Sequence, residues 1–245
     1  MKRSKSIARL LCSLAGLFLA YSLIVVFPQP LFAHKVEYKG FRVYSHDQID
    51  PRIRSLLDEV AAKLDRSGLS SRGQVHRLFL CKSRGEFAFF APHRRLATSI
   101  NYQLGHNIFI RSASIRENHV GEPGYYGSTL TWIAAHEAVH TLEQDSVGLR
   151  TMLALPFWKR EGYAEYIAQE SGLSLREGIR LLQDNASSSI ILGDEIAIPR
   201  QYFEARLLVE YYFSTRTPSF QRLAHDPVDV GVLRQEMFAW ARGDR

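Results

Sequence analysis

Apolar residues run almost without interruption from Leu10 to Phe27, behind a flank that holds Lys2, Arg3, Lys5 and Arg9 and no acid. At about 1.5 Å per helical residue this block nearly crosses a hydrocarbon layer of ~30 Å, and it is long for the core of a cleaved signal. It predicts an N-terminal transmembrane helix acting as a signal anchor, or else a signal peptide, with Ala33 as a candidate cleavage position and Leu31 a poor match to the small residue expected there. The expected division is therefore residues 1–33 as anchor or signal and 34–245 as one exported domain. The basic flank would stay in the cytoplasm.

Beyond Ala33 the pattern shifts to short strands and amphipathic helices. Phe41–Ser45 (FRVYS), Val75–Cys81 (VHRLFLC) and His106–Ser112 (HNIFIRS) read as strands bounded by glycine and polar residues. Between the first two, Asp50-Pro51 opens an amphipathic helix that runs to about Ser67 and stops at Gly68. Ser83–Glu86 (SRGE) is a capping box for a short aromatic helix through Phe90. From Ser128 the signal is helical: a helix capped by Ser128 or Thr129 and ended by Gly148, then Pro156–Gln169 closed by Gly172, one capped by Ser174, Pro199 to about Ser214, and Val230–Ala241. Strands first and helices after predict an α+β class, with a small N-terminal mixed sheet followed by a helical half. No repeat or low-complexity tract interrupts it.

A hydrophobic content of 46% suffices to fill a core for one domain of this length. The formal charge of +6 loses four positive charges with residues 1–33, and the remaining +2 implies no nucleic-acid face. Cys12 and Cys81 fall in different predicted compartments, so no disulfide framework is expected.

The chemistry concentrates in Thr131–Asp145, TWIAAHEAVHTLEQD. His136 and His140 are one helical turn apart and about 40° round, so both imidazoles can grip one ion. Glu137 lies about 60° from His140, too far round for a third ligand and close enough to reach a water on the metal, which suits a general base. Two histidines on a helix could equally be solvated or satisfied in the core. What favours the metal is FWKREGYAEY, Phe157–Tyr166, where Glu161 and Glu165 repeat the spacing on a second helix after twenty intervening residues that include a glycine. With Glu161 as third ligand, two neutral imidazoles and a carboxylate leave one tetrahedral position open, as in catalytic zinc sites. Glu165, one turn on, can accept the free N–H of a ligating histidine.

HEAVH followed by WKREGYAEY resembles the gluzincin zinc metallopeptidases, most nearly the peptidase MA-like domains, whose second motif reads roughly W-x-x-E-G-x-A-E-Y. It is similar also to the W-L-N-E-G-F-A stretch of membrane alanyl aminopeptidases and to thermolysin. The likeness is firm over His136–Tyr166 and weak over Val75–Tyr212. It implies a zincin-like fold, Zn2+ on His136, His140 and Glu161, and Glu137 as the base. The interval before Glu161 is one or two residues longer than in the last two relatives, and no G-x-M-x-N motif precedes the metal helix, so aminopeptidase specificity is not implied. Those relatives also place an oxyanion-stabilising tyrosine in a Y-x-K-G pattern. Tyr202 matches the tyrosine, with Glu204 and Ala205 where lysine and glycine would stand; Tyr211 and Tyr212 lie on the same helix.

Among the remaining residues, Arg206 is expected at the surface or against substrate, while His106, His119 and His225 stand outside ligand spacing and Trp132 and Trp158 read as braces for the metal helices. The His106–Ser112 strand is either an ordinary central strand or a sheet edge that aligns an extended peptide. The expected activity is hydrolysis of peptide bonds in a peptide or protein substrate, outside the cytoplasmic membrane and tethered to it by the N-terminal helix, or secreted or periplasmic if that segment is cleaved. The alternative is a non-catalytic zincin-like domain that binds an envelope protein or peptide.

Overall fold

The computed structural model describes residues 2–69, 73, 75–103, 105–121, 128–168, 172–192, 196–216 and 218–243, with only the backbone of 2–10. In chain order the elements are α1 (Lys2–Val26), β1 (His34–Tyr38), β2 (Phe41–Ser45), α2 (Ile53–Asp65), β3 (His76–Cys81), α3 (Arg84–Phe90), β4 (Ser99–Tyr102), β5 (Asn107–Arg111), β6 (Ala113–Ser114) and β7 (His119–Val120). The second half holds α4 (Leu130–Val147), α5 (Leu149–Ala154), α6 (Phe157–Ala168), α7 (Leu175–Asp184), β8 (Ser189–Leu192), β9 (Ile196–Pro199), α8 (Arg200–Thr215), α9 (Phe220–His225) and α10 (Val230–Arg242). The predicted end of α6 at Gln169 lies outside the described residues.

The main sheet has the order β1-β2-β3-β5-β4. β2, β3 and β5 are parallel, and antiparallel strands close both edges. β1 turns into β2 through Lys39 and Gly40, both at positive φ, which joins strands with the twist of a two-residue hairpin. The three parallel strands read as near-continuous apolar runs because both faces are covered. Val43, Leu78, Leu80, Ile108 and Ile110 point into the main core with the helices. Tyr44, Phe79 and Phe109 point the other way, into an aromatic layer closed by Phe32, Phe87 and Phe90.

β5, one candidate for the edge, is thus the interior alternative, paired on both sides. The edge is β4, whose short Ser-Ile-Asn-Tyr stretch carries too little apolar signal to read as a strand.

The expected transmembrane helix is also corrected: among the described residues, no helix is long and apolar enough to cross a membrane. Side chains of α1 are described from Leu11, and Leu11–Val26 covers only about 24 Å. The last turn belongs to the globular part. Tyr21 donates to Phe89 O at 2.7 Å, Asn107 Nδ2 donates to Val26 O at 2.9 Å, and Val25 packs on the aromatic layer.

α6 and α8 pack backbone to backbone, and Gly162 permits it. A Cβ there would lie 2.7 Å from the carbonyl carbon of Ala205 and closer still to its oxygen. Since the obstacle is main chain, Gly162→Ala should cost about 1–3 kcal/mol of stability by overpacking, read from chemical denaturation midpoints. Equal midpoints would show that the two helices are not in backbone contact.

Candidate metal centre

α4 starts where the Thr129 hydroxyl accepts from Trp132 N at 3.0 Å, and it ends at Gly148 in a positive-φ conformation. It is buried all round from Leu130 to Glu143, with Ala134, Ala135 and Ala138 allowing close neighbours. α6 crosses it. Between them His136, His140 and Glu161 form a group that could hold a metal ion: one ligand atom from each lies within 4.8 Å of the others, and all three residues are buried.

The spacing distinguishes a metal cradle from a hydrogen-bond cluster. Glu161 Oε2 is 3.3 Å from His136 Nε2 and 3.4 Å from His140 Nε2. Charge-assisted N–H···O bonds settle at about 2.7–2.9 Å. Ligand atoms bonded at ~2.0–2.1 Å in tetrahedral directions around one ion stand ~3.4 Å apart. One carboxylate oxygen therefore faces both imidazoles, while Glu161 Oε1 accepts from Arg160 Nε at 3.0 Å. The three residues present ligand atoms that could hold one metal ion.

Each imidazole turns its other nitrogen to a carboxylate. His140 Nδ1 and Glu143 Oε2 share an aligned hydrogen bond of 2.7 Å, and Glu143 is wholly buried. His136 Nδ1 lies 2.9 Å from Glu165 Oε1. That contact is out of line with the ring N–H, so it acts as an ion-pair contact more than a hydrogen bond. Glu165 is itself fixed by Trp132 Nε1, which donates to Oε2 at 3.1 Å. Glu143 was not anticipated, although its position three residues after His140 places it one turn along on the same side. Removing it in Glu143→Ala should weaken metal affinity by about 10–100-fold, measured by chelator competition. An unchanged affinity would reduce Glu143 to a packing residue.

The charges reinforce one another. Burial opposes protonation of His140, but Glu161 and Glu143 together outweigh it and raise its pKa to about 10. His136 is also raised well above its ordinary value, against burial, by Glu165 and Glu161. Burial works against ionisation of Glu161, yet the two imidazoles hold its carboxyl far below the usual range.

Glu137 is buried and lines the cleft beside this group. Its Oε1 accepts from Ser99 Oγ at 2.6 Å, and Asn101 Nδ2 donates to Glu137 O at 2.6 Å and to Thr141 Oγ1 at 3.1 Å. The edge strand β4 is thereby tied to the metal helix. Tyr202, at the start of α8, enters the same cleft with its ring 6.2 Å from that of His136 and 5.0 Å from Phe157. Burial first, then Glu161, pushes its hydroxyl up to about 12, so it remains a donor throughout the neutral range.

Tyr211 and Tyr212 are buried away from the site, Tyr212 donating to Asp226 Oδ2 at 2.7 Å. Arg206 is not a surface charge: it is buried, with its guanidinium over the Phe203 ring. Neither His106, His119 nor His225 joins a metal-binding group among the described residues. The cleft has a volume of about 1160 Å³ and is lined by β4, α4, α5, α6 and the start of α8, and also by the end of α1, the start of α3, the turn before β4 and both ends of β5. The chain matches no model of a known protein family, and no curated protein matches it either.

Proposed function

We propose that the chain is a zinc-dependent peptidase of the gluzincin type that cleaves peptide bonds in the cleft along β4. The observation that carries this reading is Glu161 Oε2 at 3.3 and 3.4 Å from two imidazole nitrogens, with Glu137 beside them in an open cleft. Two imidazoles and one carboxylate would suit zinc, which when bound would lower the pKa of water toward ~7 and polarise a carbonyl.

The chain's own residues supply the rest. Glu137 takes a proton from the attacking water and later returns it to the leaving amine. The Ser99 hydroxyl holds one carboxylate oxygen of Glu137 and so limits its rotation. Tyr202 donates to the carbonyl oxygen as that oxygen becomes an anion. β4 is an edge of the sheet among the described residues, and the main chain of an edge strand offers donors and acceptors to an extended substrate. Glu143 and Glu165 hold His140 and His136 in the orientation that aims each Nε2 inward.

Membrane association outside the cytoplasm belongs to the same proposal. The described part of α1 presents Leu17 at 68% and Phe18 at 72% exposure, an apolar surface unsuited to water, behind the basic residues at its start.

The test is metal analysis of the purified protein together with digestion of a peptide library. Near-stoichiometric zinc with defined cleavage products supports the proposal. Zinc with no turnover would leave a binding domain, and no bound metal at all would remove the basis of the mechanism.

A further inference from the structure

The charge around the cleft is divided. Three acids line it among the described residues: Glu137, Glu161 and Glu165. All three are buried and engaged, by Ser99, by Arg160, and by Trp132 and His136. Four arginines line the same cleft, namely Arg84, Arg94, Arg111 and Arg160. Arg160 serves Glu161. Arg84, Arg94 and Arg111 form no ion pair with a carboxylate among the described residues, and the buried Nε of Arg111 has no hydrogen-bond partner there.

The fold brings these three to the wall of one cleft. Arg111 ends β5, and its backbone N–H donates to Thr98 O at 2.9 Å, immediately before Ser99 opens the edge strand. Cys81, the register partner of Arg111 on β3, is followed within three residues by Arg84 at the start of α3. Arg94 closes the turn between α3 and β4, within electrostatic reach of Tyr202. The three cations therefore come from segments that begin or end near the Ser99 end of β4, the strand tied to Glu137, and all three line the cleft. Around the other end the described lining residues, Tyr102, Gln103, Asn107, Val25 and Val26, carry no formal charge.

We infer that this cleft selects peptide substrates carrying acidic residues on one side of the scissile bond, with Arg94, Arg111 and Arg84 as the selecting groups. The inference rests on the peptidase reading for its consequence in turnover. A strand laid along β4 is fixed in register by main-chain pairing, so its residues near Ser99 stand among the arginines. Aspartate or glutamate there supplies carboxylate acceptors to guanidinium donors that have none, whereas lysine meets uncompensated like charge. Arg160 remains with Glu161 and takes no part.

The full-length, metal-loaded protein is assayed with quenched peptides that share one cleavable core. They differ only in three flanking residues, acidic, neutral or basic, placed on either side. The expected result is a kcat/KM for acidic flanks on one side about 10–100-fold above the neutral peptide, shrinking as NaCl is raised. Arg94→Gln and Arg111→Gln should each lower that ratio, and Arg94→Glu should turn the preference toward lysine. Arg94 is exposed, so its variants report even if Arg111→Gln folds poorly. Cleavage at equal rates for acidic and neutral flanks, or a preference that survives in both Arg94 variants, overturns this inference and leaves the peptidase reading standing. Binding of the same peptides to Glu137→Gln, followed by fluorescence anisotropy, separates the two. Acid-selective binding without turnover by the wild-type protein overturns the peptidase reading and keeps the selecting surface. Neither selective binding nor turnover overturns both.

Discussion

Glu137→Gln is expected to abolish peptide hydrolysis while leaving the metal content unchanged. The substitution is nearly isosteric, and the amide oxygen can still accept the 2.6 Å bond from Ser99, so the cleft wall should keep its shape. Glu137 is not among the three residues whose ligand atoms converge, so affinity for the ion should not depend on it. What glutamine lacks is a site for the proton that water must give up and the amine must receive. A positioned base contributes about 10²–10⁴ in rate. The loss here should reach the upper part of that range, because one carboxylate serves in both directions. The measurement is kcat on a cleavable peptide alongside metal analysis of the same preparation. A variant that retains even a tenth of wild-type kcat would show that Glu137 is not the base.

Glu161→Ala should act one step earlier, by releasing the ion. Among the described residues its Oε2 is the carboxylate oxygen that faces both imidazoles, and two histidines alone are a poor zinc site; affinity should fall by roughly 10³-fold or more. Glu161→Gln, which keeps a weaker oxygen donor, should fall in between. The order wild type, Gln, Ala in a chelator titration is the readout, and equal affinity for all three would place the ion elsewhere.

The same experiment carries a pH dependence. His140, raised to about 10, and His136, raised well above its ordinary value, are both protonated at neutral pH in the metal-free protein. Binding must displace about two protons, so affinity rises with pH, and calorimetry in buffers of different ionisation enthalpy should count them. Stability of the metal-free form runs the opposite way. The contribution of a histidine whose pKa is raised on folding is fully present below about 6.5 and is lost as pH rises through about 10. In Glu161→Ala a main source of that upward shift is gone, so this pH-dependent loss should shrink.

The local signals account for much of the fold. The apolar runs at Phe41–Ser45, His76–Cys81 and Asn107–Arg111 became strands almost at their predicted ends, because each is bounded by glycine or polar residues. Ser83, Thr129 and Ser174 cap the helices that their hydroxyls announce. Shorter elements escaped: β4 has four half-buried residues, and α5 and α9 have six each, too few for a periodic pattern to emerge. The amphipathic pattern of its helix puts Arg206 at the surface or against substrate; it lies buried where α8 meets α6 and α7, a setting only the packing of those helices creates.

At the metal centre the division is sharper. Helical spacing by itself places His136 and His140 on one face and sets Glu137 beside it, since 100° per residue is a property of the backbone. It likewise puts Glu165 one turn beyond Glu161 and Glu143 one turn beyond His140. No periodicity within either helix states that α6 lies across α4 with one oxygen of Glu161 nearly equidistant from two imidazoles, that β4 ends against Glu137, or that three arginines from separate segments line the same cleft. These are relations between segments distant in sequence, decided by which faces bury against each other and by a glycine that lets α8 reach the backbone of α6.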